Sequence, residues 1–405
     1  MHIKKSIVAI MLMCSLLSGC GKQSFEEDAH LISMNEVRDQ LADTMKKAKE
    51  GKYDKLSFGK IDPIVTSENR LTDIYEVSYQ AGTEEKTVEA CLKEQYQWIC
   101  EIEGQQVPKK DVYDNKSDLW LDEIEQLVKK GKYPKELNSD IGYVMPSLSY
   151  RTYDADGNND QLVSVDSGKC FINVILGNVA SEELEKVDQY YANVTDQSLD
   201  DSYQLEDGGC TIREAIKWAE TYENEGKPYS PGKDIRICAS TVQVYKRSNG
   251  TYAYKIGMRR TYKGVTFQSA YQGSSVSNTN FDYDMCEIFM VNQTTPDYFV
   301  GMGANEKISE EGNTYEKIIS LDRAFTLLNE NMGENADCEV ISAELSYCMK
   351  PEEESISKKY GYTQACHGTL AWKVEVFNKR DEKNIVFYIG ATDYEGTNIE
   401  SVILG

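Results

Sequence analysis

Asp154, Asp156, Asn158 and Asp160 place hard oxygen ligands at alternate positions and form the best metal candidate in this sequence. Calcium prefers such donors, but an EF-hand loop needs glycine at its sixth position and a bidentate glutamate at its twelfth. Counting from Asp154, Gly157 falls at the fourth position and Val165 at the twelfth. A polar turn explains the same residues, because Asp-Gly and Asn tolerate positive φ. That turn is the expected structure, joining a tyrosine-bearing strand at 148–153 to Gln161–Val165. No metal and no organic cofactor is expected.

Histidine occurs only three times, at His2, His30 and His367. A Ser-His-Asp triad or a histidine-rich zinc site therefore lacks material. Cys366-His367 pairs a thiol with an imidazole in sequence, yet neighbours on a strand point to opposite faces. Ser-x-x-Lys recurs at Ser57/Lys60, Ser230/Lys233 and Ser355/Lys358 without the Lys-Thr-Gly that accompanies acyl-enzyme chemistry. Ser167-Gly168-Lys169 lacks the glycine-rich lead of a phosphate loop. Acidic pairs such as Asp200-Asp201 and Glu182-Glu183 fit the two-carboxylate logic of glycosidases. Among 67 acidic residues such pairs arise by chance. The 27 tyrosines suit either a carbohydrate or peptide groove or the half-buried face of a sheet.

The N-terminus carries an address. Lys4 and Lys5 precede an apolar run from Ile7 to Leu17, and Ser18-Gly19 precede Cys20. This is the three-part layout of an export signal. The run is too short to span a bilayer, which takes about 20 apolar residues. Leu17-Ser18-Gly19-Cys20 resembles the bacterial lipobox. That resemblance implies cleavage before Cys20, a diacyl group on Cys20 as the lipid attachment, and a soluble body at the extracytoplasmic face of the cell membrane. A Gram-positive surface is expected.

The net charge is −23, with acidic residues spread along the chain. That balance argues against nucleic acid and against a polybasic grip on anionic lipid. Nine of the 11 cysteines lie beyond Cys20, none in a CxxC, and most sit in apolar or alternating stretches. Buried reduced thiols are the expectation, with Cys91–Cys100 and Cys338–Cys348 as the disulfide candidates otherwise.

Capping residues mark the helices. Ser33 with Glu36 and Thr211 with Glu214 form capping boxes, and Ser117 and Ser320 precede apolar stripes. A further helix is expected near 181–192. Strands are expected at Asp73–Tyr79, in a tyrosine-rich hairpin near 148–176, and at Ile235–Tyr245 and Tyr252–Met258 around Asn249-Gly250. Others are expected at Val265–Tyr271, Val340–Met349, Leu370–Phe377, Asn384–Ile389 and Ile399–Leu404.

The pattern predicts an α+β fold of antiparallel sheets with packed helices, including two related helix-plus-strands units in the C-terminal half. Ala253-Tyr254-Lys255-Ile256 in one unit corresponds to Ala371-Trp372-Lys373-Val374 in the other. The expected divisions are a signal at 1–19, a tether at 20–30, a small α/β module at 31–112 and a middle module at 113–205. Its acidic end, Asp196–Gly209, reads as a linker to a C-terminal domain at 206–405. Within that domain Leu321–Ala324, Val340–Tyr347, Leu370–Val376, Val386–Glu395 and Ala253–Phe267 resemble YycH/YycI-type proteins and, beyond them, PepSY-like domains. The resemblance implies a non-enzymatic regulatory module working with a membrane-spanning sensor partner. The expected function is therefore a lipid-anchored binding protein serving an envelope sensor or cell-wall system. The alternative is a surface hydrolase using paired carboxylates on glycans or peptidoglycan.

Overall fold

The computed structural model describes residues 30–77, 182–194, 197–226, 234–267, 286–294, 296–302, 307–351 and 365–404, with the backbone of further strands between 137 and 175. Among the described residues the α-helices are α1 (Met34–Lys49), α2 (Ile212–Thr221) and α3 (Leu321–Asn331). Each begins where the sequence places a cap. The Ser33 hydroxyl accepts from the Glu36 amide while the Glu36 carboxylate accepts from the Ser33 amide, and Thr211 and Glu214 repeat the arrangement. Ser320 accepts from the Arg323 amide at 3.1 Å. These contacts satisfy amides that a helix N-terminus would otherwise leave unpaired. The helix expected after Ser117 lies outside the described residues.

The fold is α+β, built on a sixteen-stranded, mostly antiparallel sheet. Its strands include β1 (Leu56–Phe58), β2 (Leu71–Val77), β3 (Glu185–Tyr191), β4 (Ile235–Lys246), β5 (Tyr252–Tyr262), β6 (Val265–Phe267), β7 (Cys286–Met290), β8 (Tyr298–Met302), β9 (Lys307–Tyr315), β10 (Cys338–Pro351), β11 (Ala365–Asn378), β12 (Lys383–Gly390) and β13 (Ile399–Leu404). In the first unit α2 leads into the meander β4-β5-β7-β8; in the second α3 leads into β10-β11-β12-β13. Gly250, at φ 86°, turns β4 into β5. Lys263 and Gly264, at φ 50° and 74°, form the two-residue turn into β6. Positive φ at both positions matches the twist of an antiparallel pair. A Cβ on Gly264 would also come within 2.9 Å of the Thr66 hydroxyl.

The corresponding tetrapeptides occupy corresponding places. Tyr254 and Trp372 are both fully buried. The Tyr254 hydroxyl donates to the carbonyl of Cys210 at 2.6 Å, and the Trp372 indole donates to that of Ile319 at 3.0 Å. Both acceptors immediately precede a helix N-cap, Thr211 in one unit and Ser320 in the other. Each unit thus ties its second strand to the start of its helix through an aromatic donor, the way a buried polar handle must be satisfied.

The units meet where β6 runs parallel to β10, pairing Thr266 with Ser346. The N-terminal segment joins the second unit. β1 pairs parallel to β10, and β2 lies between β9 and β11. Leu71 and Ile74 share a core with Phe325 and Trp372. Through β1 and β2, residues 31–77 therefore share a sheet and a core with residues 307–351 and 365–404.

Two local expectations are corrected. The helix expected near 181–192 is the strand β3, antiparallel to β4. Ser181-Glu-Glu imitates a capped helix start, but the open edge of β4 offers backbone partners that local propensity cannot outweigh. The acidic linker contains a hairpin, Ser202–Leu205 against Gly208–Thr211. Cys338 and Cys348 are both free thiols. They lie on the same strand ten residues apart, about 33 Å at strand rise, so no disulfide can join them. Cys91 and Cys100 lie outside the described residues.

Candidate functional site

Three bases at the end of β5 and its turn meet three acids from other parts of the sheet. Arg259 binds Glu344, Arg260 binds Glu76, and Lys263 binds Glu310. The pairs differ in surroundings. Glu76 and Arg260 are both inside the core, with Nη1 3.1 Å from Oε1 and the guanidinium stacked 4.7 Å from the Phe267 ring. The other oxygen, Oε2, has no hydrogen-bond partner. Burial pushes the Glu76 carboxyl above the ordinary range despite the opposing pull of Arg260.

Glu344 is buried too, but two cations hold it: Arg259 Nη1 at 2.7 Å and Lys373 Nζ at 3.3 Å. Burial alone would raise its carboxyl; Arg259 and Lys373 outweigh that and keep it below the usual carboxylate range. Its contribution to stability is then present above the unfolded value of 4.5 and lost as pH falls through the lower folded value. Chemical unfolding followed between pH 6 and 3 should show a shallower acid loss in Glu344→Gln than in the wild type. Equal slopes would mean that Glu344 is not held ionised.

Arg259 lines two neighbouring cavities at the seam. One lobe, 610 Å³, is bounded by β3, β10, β11 and residues 59–61, and contains Glu344, Lys373 and Tyr191. The other, 680 Å³, lies between α2, the start of β4 and the Lys263-Gly264 turn. Asn193 and Arg259 line both. Both volumes are in the range of small-molecule sites, roughly 300–1,000 Å³.

The second lobe is shaped by unusual backbone. After α2 the chain makes a π-helical turn, Tyr222–Gly226, a feature common at functional positions. It aims Asn224 at β4, where its Nδ2 donates to the Ile237 carbonyl at 2.7 Å and its Oδ1 accepts from the Ile237 amide at 2.9 Å. Glu220 accepts from the Ala239 amide at 3.0 Å. These side chains replace a neighbouring strand where β3, which pairs only from Thr241 onward, has ended. Asp234, at φ 64°, and Lys263 hold left-handed conformations beside the same lobe.

The residues singled out from sequence fall elsewhere. Cys20, Asp154, Asp156 and Asn158 lie outside the described residues. Asp160 is on the strand Asn159–Asp166, which pairs with Ser147–Tyr153. Cys366 and His367 stand opposite Glu76 and Tyr75 on β2, so they point to opposite faces. Cys366 is buried in the core, whereas His367 Nε2 lies 3.9 Å from buried Asp73. The acidic pairs are tied into the structure: Asp200 to Arg213, Asp201 to the Tyr190 hydroxyl and Glu182 to Arg247. Among the described residues no group of three His, Cys, Asp or Glu side chains forms a metal set, and no helix is long and apolar enough to cross a membrane. Sequence reasoning missed Arg259, Glu344 and Lys373. Their signal was a charged residue at an interior position of a strand, such as Glu344 between Ala343 and Leu345.

No family model matches this sequence, and no curated protein does. Among solved structures the chain is similar to an uncharacterized protein from Eubacterium rectale ATCC 33656. The TM-score is 0.45 at 11% identity, covering 91% of this chain and 94% of the other.

Proposed function

We propose that this chain is a lipid-anchored extracytoplasmic binding protein, an accessory to an envelope sensor or cell-wall system. Acyl groups on Cys20 hold it at the membrane, and a membrane-spanning protein carries its signal. The observation behind this reading is the 610 Å³ cavity at the seam, lined by β4 and β5 of the first unit and by β10 and β11 of the second. A ligand there touches both helix-plus-strands units at once, so its affinity depends on how they are set against each other. Reciprocal dependence of that kind is what a regulatory module needs. The resemblance of the C-terminal half to extracytoplasmic sensor partners points the same way.

The hydrolase alternative requires a proton-donating carboxyl of raised pKa within a cleft. Glu344, the buried carboxyl of this cleft, is held in the opposite direction. Glu76, whose carboxyl is raised, lines neither lobe. This favours binding over cleavage.

The test uses intact cells that produce the full chain or its Cys20→Ala variant. Fatty-acid label should enter the first and not the second, and crosslinking should recover a membrane-spanning protein with the first alone. Equal labelling, or no protein recovered above the variant, would overturn the reading.

A further inference from the structure

The lobe between β3 and β11 has a composition that selects among ligands. Among the described residues its charges are balanced: Lys60, Arg259 and Lys373 against Glu339, Glu344 and Glu375. In a chain of net charge −23, a cleft without excess negative charge is a local departure. Anionic ligands meet its glutamates and cationic peptides its basic groups, so neither gains net attraction. A wholly apolar ligand would strand the charged groups without water, at a cost.

Strand addition by a peptide is also disfavoured. Among the described residues β3 is an edge strand alongside this lobe, and such edges attract extended chains. Two of its amides are already occupied by side chains. The Tyr191 amide donates to Gln197 Oε1 and the Gln189 amide to Asp188 Oδ1, both at 2.8 Å.

What the lobe offers instead is one exposed aromatic ring and several oriented amides. Tyr191, 37% exposed, is one of two large apolar side chains exposed among the described residues, and it lines this lobe. Gln189, Asn193 and Asn384 also line it. Each is anchored through one atom of its amide: Gln189 by Lys186, Asn193 on the Asp62 carbonyl and Asn384 on Glu375. Fixed amides present donors and acceptors without a further ordering cost. A ring face beside such groups matches a molecule with apolar C–H faces and a rim of hydroxyls.

We infer that this lobe binds a neutral saccharide, with Tyr191 as its stacking platform. The inference rests on the reading of the seam cleft as a binding site and names the ligand class for it. It is tested by calorimetric titration of the full chain in detergent with chitotetraose and cellotetraose, with tetragalacturonate as the acidic control. At least one neutral oligosaccharide should bind saturably and the acidic one should not. Tyr191→Ala should weaken binding about tenfold or more, equivalent to one lost anchoring contact. Tyr191→Phe, which keeps the ring, should retain it.

Val187, the other exposed apolar side chain of β3, does not line the lobe, so Val187→Ala should change nothing. Unchanged unfolding midpoints would show that the variants are folded. Failure of both neutral sugars at millimolar concentration, stronger binding of the acidic one, or binding indifferent to Tyr191→Ala would overturn the inference. A membrane partner recovered by crosslinking without any saccharide binding would leave the anchored-accessory reading in place and remove only this one.

Discussion

Trp372→Ala should destabilise the protein by about 3–5 kcal/mol, the cost typical of truncating a large buried aromatic residue. Trp372 is fully buried in the core that joins α1, α3, β10 and β11. Its removal leaves a cavity that strands on either side cannot close, because β10 and β12 fix β11 along most of its length. The loss also frees the Ile319 carbonyl, which accepts the indole N–H next to the cap of α3. An unsatisfied buried carbonyl adds roughly 1–3 kcal/mol unless water enters. Trp372→Phe separates the two contributions, since it keeps most of the volume and loses the donor. Urea unfolding should rank the wild type above Trp372→Phe and that variant above Trp372→Ala. Equal stability of wild type and Trp372→Ala would show that the aromatic tie does not hold the unit together.

Arg260→Met should cost a similar amount, about 3–5 kcal/mol, because it strands Glu76 in the core. The Glu76 carboxylate already has one oxygen without a partner, and Arg260 is its compensating charge. Removing the cation forces Glu76 to stay protonated. Because its folded pKa already lies above the unfolded value, its stabilising contribution is present at low pH and declines as pH rises through the folded value. The variant should therefore be least impaired near pH 4 and progressively worse toward neutrality. Adding Glu76→Met should restore much of the loss, since buried ion pairs replaced by apolar groups are often neutral or better. Stability measured for both single variants and the double variant, at two pH values, decides the matter. A single-variant cost independent of pH would mean that Arg260 acts only by packing on Phe267.

Much of the local structure was legible before folding. Capping boxes announced α1 and α2, and Asn249-Gly250 announced its turn, because each signal is completed within a few residues. The correspondence of Tyr254 with Trp372 was also readable. Its purpose, a hydrogen bond to the carbonyl ahead of each helix cap, was not. β3 was misread because its sequence carries a helix-like start, while its actual stabilisation comes from β4, some fifty residues away.

The sequence by itself determined the scarcity of histidine, the α+β class and most element positions among the described residues. Only tertiary structure decided where the charges meet. Arg259 and Glu344 are 85 residues apart, and Arg260 and Glu76 are 184 apart. With 44 basic and 67 acidic residues, composition permits a very large number of pairings. The fold selects these because the end of β5 and its turn carry three bases, Arg259, Arg260 and Lys263, into the junction of the two units. There, loss of water makes an unpaired charge costly and a matched one stable.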